Sequence, residues 1–157
     1  MTPIRRRTFL KGTLAASAAG LAAAAGLLKP GLARAAEWSK NAFEAKKVDE
    51  ALTNLFGSAQ TTPSAGVKIK APLQAENGAV VPIQVTTDLP NVTTIAVLVE
   101  KNNQPLIAAV SLTGAAPFFS ARMKMAQTSD VHVVVKSAGK LYSAKQNIKV
   151  TVGGCGG

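Results

Sequence analysis

Two neighbouring runs decide the fold: Val80-Val81-Pro82-Ile83-Gln84-Val85-Thr86, and Val92-Thr93-Thr94-Ile95-Ala96-Val97-Leu98-Val99-Glu100. In the first, Val81, Ile83 and Val85 alternate with Pro82 and Gln84, the period of a strand with one buried face. The second is longer and more continuously apolar, as expected of a central strand. Between them, Asp88-Leu89-Pro90-Asn91 is turn chemistry.

The same period runs outward from this pair. Upstream, Val67-Lys68-Ile69-Lys70-Ala71 alternates, and Asn77-Gly78 signals a turn. Downstream, Leu106 to Leu112 predicts a strand after a loop at Lys101 to Pro105, and Gly114 to Pro117 predicts a turn. Phe118 to Met125 sets Phe119, Ala121, Met123 and Met125 against Ser120, Arg122 and Lys124. After the polar stretch Gln127 to Asp130, Val131 to Lys136 is a strand, Ser137 to Lys140 a turn, and Leu141 to Val152 a last strand. Seven short strands with regular turn signals predict a mainly β fold, an immunoglobulin-like antiparallel β-sandwich. The chain shows no internal repeats and no βαβ alternation of the kind that predicts a parallel sheet.

Ahead of the strands, Asn41 to Phe56 predicts one helix. Asn41 is placed as its cap, with Glu44 three residues on as in a capping box. Val48, Ala51, Leu52, Leu55 and Phe56 share one apolar face, with Phe43 a turn earlier, and Gly57 supplies a stop. Ser58 to Ser64 reads as a polar linker. Residues 36–152 are thus expected to form one helix-plus-sandwich domain with a small core.

The N-terminus reads as an address. Arg6-Arg7, one spacer, then Phe9-Leu10-Lys11 fits the twin-arginine export pattern. An uncharged, alanine-rich stretch from Gly12 to Leu28 follows, and Ala33-Arg34-Ala35 suits a signal peptidase. Residues 1–35 are therefore expected to be a cleavable signal rather than a membrane anchor, which places the mature protein in the periplasm without stable membrane association. That route carries folded proteins, so the chain is expected to fold beforehand, around a cofactor or with a partner lacking its own signal.

Charge needs the same division. The chain carries 18 basic and 8 acidic residues, a formal charge of +10. Six of the basic residues lie before residue 36, leaving 12 against 8 and a charge of +4. The high isoelectric point is largely a targeting effect and makes no case for nucleic acid.

Sites for built-in chemistry are sparse. His132 is the only histidine; it stands between Val131 and Val133 and is expected to face away from them, solvated or locally bonded. Zinc normally takes three or four His, Cys or acidic ligands, and the chain is expected to lack such a cluster. Met123 and Met125 read as core. The acidic residues are spread singly apart from Asp49-Glu50, and no Gly-rich phosphate loop opens a helix. No cofactor, metal or catalytic residue is assigned.

What remains is the tail, Gly153-Gly154-Cys155-Gly156-Gly157, which holds the only cysteine. Glycine lacks a Cβ, so nothing beside Cys155 packs, and a flexible arm is expected. From Val152 to Cys155 it extends at most roughly 10 Å. A catalytic thiol needs a pKa-lowering neighbour and a rigid supporting shell, and such a tail supplies neither. Cys155 therefore reads as a covalent handle. In an oxidising compartment a lone cysteine stays free or pairs between chains, so Cys155-linked homodimers are also expected.

The Gly-Gly-Cys-Gly-Gly tail, preceded by a strand and joined to an export signal and a β-rich body, resembles that of the SoxY family, sulfur carriers of bacterial thiosulfate oxidation. The resemblance implies that Cys155 forms covalent conjugates with inorganic sulfur species. It implies a heterodimer with a signal-less SoxZ-like subunit, and transient complexes with the cytochrome, hydrolase and sulfur dehydrogenase components of the Sox system. It also implies a non-catalytic carrier. Three other readings stay open on the residues alone: a small thiol redox enzyme, which would lack a resolving cysteine; a carrier using the terminal carboxylate as a thiocarboxylate; and a structural domain cross-linked through Cys155.

Overall fold

The protein's computed structural model describes residues 39–151, and these fall in one compact unit beginning at Ser39. The expected signal, with Arg6, Arg7, Phe9, Leu10 and Lys11, lies outside the described residues, as do Gly153, Gly154, Cys155, Gly156 and Gly157. The element order is α1 (Lys40–Glu44), α2 (Val48–Phe56), β1 (Thr62–Pro63), β2 (Val67–Lys70), β3 (Gln74–Ala75), β4 (Val81–Thr87), β5 (Val92–Val99), β6 (Leu106–Ser111), β7 (Phe118–Met123), β8 (Ser129–Ser137) and β9 (Lys140–Val150).

The strands form two sheets. One has the order β1-β9-β8-β5-β6, with β3 also on β9; the other is β2-β4-β7. Val81, Ile83 and Val85 of β4 point inward, as their alternation predicts, and meet Ile95, Val97 and Val99 of β5 and Val131, Val133 and Val135 of β8. Met123, Met125 and Ile148 complete this core between the sheets. Pro82 is tolerated in β4 because β2 pairs only as far as Gln84.

The larger sheet is buried on its other face too. Ala96 and Leu98 of β5 and Val134 of β8 pack with Ala42, Ala45, Ala51 and Leu52 from the helices. This makes three layers: sheet, sheet, helix pair. The near-continuous apolar run Ile95–Val99 is the consequence, since both of its faces are covered. The centrality expected for this strand is borne out by its place between β8 and β6.

Four details differ from the sequence expectation. The single helix over 41–56 is two helices, broken at Ala45–Lys47, where Lys47 is extended and starts α2. The acidic pair explains the break: Asp49 and Glu50 occupy the first turn of α2, where negative charge suits the helix dipole, and Glu50 accepts the Lys46 backbone N–H at 3.1 Å. Second, the Asn41–Glu44 capping box does not form. Ser39 precedes α1 without a side-chain cap, and the Asn41 carbonyl accepts Asn54 Nδ2 from the second helix at 3.1 Å. Third, the supposed linker contains β1, which pairs in parallel with β9 at Thr62–Tyr142 and Pro63–Ser143. Fourth, β3 pairs in parallel with β9 at Gln74–Lys149 and Ala75–Val150, so the sandwich is not purely antiparallel. These two short strands shield the outer edge of the longest strand, which would otherwise be open to pairing.

Gly57 caps α2 at a left-handed φ of 80°, as predicted. The β8–β9 turn uses Ala138 (φ 47°) and Gly139 (φ 78°), the conformation a two-residue hairpin needs.

Two stability predictions follow from this packing. Ile95→Ala opens a cavity at a fully buried position and should cost about 2–5 kcal/mol, measured by urea unfolding. Ala138→Gly relieves an alanine held at positive φ and should stabilise by about 0.5–1 kcal/mol in the same assay.

Candidate functional site

Cys155 itself lies outside the described residues, so the site is approached through its root. β9 carries the chain toward it and is held on both sides at its end. On one side, the Lys149 and Thr151 N–H groups donate to the carbonyls of Leu73 and Ala75, each at 3.0 Å, and Thr151 Oγ1 adds a bond to Ala75 O. On the other, Thr128 Oγ1 accepts the Val150 N–H at 3.0 Å and donates to the Val150 carbonyl. Gly78 closes the arrangement. Its carbonyl accepts the Met125 N–H at 2.7 Å, and a Cβ at Gly78 would collide with the Met125 carbonyl and approach Val150 Cγ1 to 2.9 Å. Only glycine permits this close approach.

The sequence marks this root with local signals. Asn77 Oδ1 accepts the Ala79 N–H at 2.8 Å, an Asx turn, as Asn77-Gly78 foretells. Asn102 bridges from a separate loop: its Nδ2 donates to Lys124 O and its Oδ1 accepts the Ala126 N–H. Loops from β3–β4, β5–β6 and β7–β8 thus converge where β9 ends. From Thr151, four residues lead to Cys155, a span of at most about 14 Å.

A second grouping was not read from the sequence. His132 does face away from Val131 and Val133, which are buried between the sheets. Its Nε2 lies 2.9 Å from Glu100 Oε2. Asp130 joins them, and one ligand atom from each of the three lies within 4.8 Å of the others. The expectation that acidic and imidazole groups are scattered is therefore corrected at this point. Asp130 and His132 are two apart on one strand and so share a face, which was legible. Glu100 required the β5–β8 register, in which Val99 opposes Val131 and the Glu100 N–H donates to Asp130 O at 3.0 Å. Asn147 Nδ2 donates to Asp130 Oδ1 at 2.6 Å, and Lys145 Nζ stands 3.9 Å from Oδ2.

Glu100 and His132 also border an open cleft of about 670 Å³ beside α2, with Lys46, Lys47, Ser143 and Lys145 on its walls. Met123 and Met125 are buried in the core, as read. No helix among the described residues is long and apolar enough to cross a membrane.

A sequence profile described as "Sulfur oxidation protein SoxY" matches residues 52–155, a span that includes the β-sandwich and Cys155. Among solved structures, the chain is similar to the sulfur carrier protein SoxY from Chlorobium limicola f thiosulfatophilum, at 42% identity and a TM-score of 0.62. The match covers 72% of this chain and 99% of that one. A superoxide reductase (neelaredoxin) from Ignicoccus hospitalis also aligns, at 18% identity and a TM-score of 0.48, over 54% of this chain and 79% of that one. Comparison with curated proteins gave no match. Fold, sequence profile and structural likeness together define an immunoglobulin-like β-sandwich protein of sulfur oxidation. The chain belongs to the SoxY family.

The clamp at the root is testable. Thr128→Val keeps the shape but removes both hydrogen bonds to Val150. It should destabilise by about 1–2 kcal/mol and speed hydrogen exchange at the Val150 amide more than at the buried amides of β5.

Proposed function

We infer that the protein is a periplasmic carrier of sulfur intermediates, loaded covalently on the thiol of Cys155 and exported folded by the twin-arginine route. The observation that carries this reading is the match to the SoxY family over residues 52–155, which ends on Cys155, the only cysteine of the chain. The likeness to a sulfur carrier protein of that family supports it.

The chemistry balances as a cycle run by partner enzymes. The Cys155 thiolate and the outer sulfur of thiosulfate form a disulfide bond, and a cytochrome partner takes the two electrons. Water then cleaves the terminal S–SO₃ bond at a hydrolase, releasing sulfate and two protons and leaving a persulfide. A sulfur dehydrogenase oxidises the outer sulfur with three water oxygens, passing on six electrons. A second hydrolysis releases sulfate and restores the thiolate. In every step the described domain anchors the tail, Cys155 carries the reacting sulfur, and the partners supply the catalytic groups. A SoxZ-like subunit completes the carrier as its heterodimer partner.

Glycines on both sides of Cys155 fit this role, because the tip must enter the narrow sites of several enzymes. The rival reading, a thiol redox enzyme, calls for a thiol pKa well below the free-cysteine figure of about 8.5.

Intact-mass analysis of the protein taken from thiosulfate-fed periplasm should show sulfur adducts on Cys155. Cys155→Ser should carry none and should abolish thiosulfate oxidation by the assembled system. A serine variant that sustains oxidation at the native rate would falsify the carrier reading.

A further inference from the structure

The geometry points to a divalent metal site at Glu100, Asp130 and His132, of the class that takes zinc, separate from Cys155 and independent of the carrier reading. The donor set is one imidazole nitrogen and two carboxylates. Three protein ligands with an open fourth position is the composition of zinc sites that exchange a water or an anion. Mixed nitrogen and oxygen donors favour zinc over magnesium or calcium, which prefer oxygen alone.

Four observations carry the assignment. The donor atoms already lie within 4.8 Å of one another, with His132 Nε2 and Glu100 Oε2 at 2.9 Å. Ligands about 2.1 Å from a tetrahedral zinc stand about 3.4 Å apart, so closure asks for shifts of roughly an ångström in side chains that solvent partly reaches. The backbone fixes where these side chains start. Asp130 and His132 share one face of β8, and the Glu100 N–H bond to Asp130 O locks the third residue beside them.

A bond that orients one of the ligands is the third. Asn147 Nδ2 holds Asp130 Oδ1 at 2.6 Å and leaves Oδ2 turned toward Lys145 at 3.9 Å. Outer-shell bonds of this kind orient ligating carboxylates. Electrostatics gives the fourth. Two carboxylates held this close repel, and a divalent cation between them removes the repulsion. Lys145 offsets part of it but stands at the rim with its side chain 65% exposed, free to swing aside. Access comes from the cleft bordered by Glu100, His132 and Lys145.

The test uses zinc chloride as the probe and the full chain carrying Cys155→Ser, so that the thiol contributes nothing. Isothermal titration should show one zinc per chain. His132→Gln and Asp130→Asn on that background should each weaken binding at least about tenfold. Lys145→Ala should tighten it severalfold, because a competing cation is removed. Any variant without the native circular dichroism spectrum is replaced by Glu100→Gln, expected to weaken binding likewise. Absence of binding by the Cys155→Ser chain overturns the site, as does an equal affinity in all the variants.

Discussion

The structure depends on burial of the larger sheet on both faces. β5 and β8 send Ile95, Val97, Val99, Val131, Val133 and Val135 into the space between the sheets, while Ala96, Leu98 and Val134 receive the helices. A strand buried on one face has its register set by that face, since a slip of one residue exchanges the two. Here either slip would put a differently shaped set of side chains into each core. The pairing of β5, β8 and β9 is therefore pinned from both sides. That pinning reaches both candidate sites: it brings Asp130 opposite Asn147, His132 opposite Lys145, and Thr128 beside Val150.

The same constraint explains what was legible in the sequence. Strands with one buried face advertise themselves through alternation, and β4 and β7 were readable for that reason. β5 was readable by its length and apolarity. The two-residue strands β1 and β3 have no period to read; they exist because β9 offers an edge, a fact of tertiary structure. The helix break was written in Asp49-Glu50, which is a start signal. The apolar positions 43, 48, 51, 52, 55 and 56 continued smoothly across it and masked it. Glu100 lies 30 residues from Asp130 in the chain, so only the register could join them. The reading of the tail, by contrast, rests on composition alone and needs no fold.

The clamp at Thr128, Leu73 and Ala75 has a consequence for a tethered reactant. On the carrier reading, the effective concentration of the Cys155 sulfur at a partner's site falls roughly as the 3/2 power of the tether length. Cys155 lies four residues beyond Thr151. If Lys149, Val150 and Thr151 peeled away, the tether would grow from four residues to seven, and the local concentration would drop about twofold. Peeling would also release Val150 from the pocket beside Gly78 and leave Lys149 and Thr151 without their carbonyl partners. On the carrier reading, glycines that confer reach are thus set against hydrogen bonds that limit it. Among the described residues, Thr151 makes the last backbone bond of this ladder. This placement argues that the sandwich fixes the origin of the arm. A carrier serving several enzymes requires such an origin, because each must dock on the domain and meet the thiol at the same distance from it.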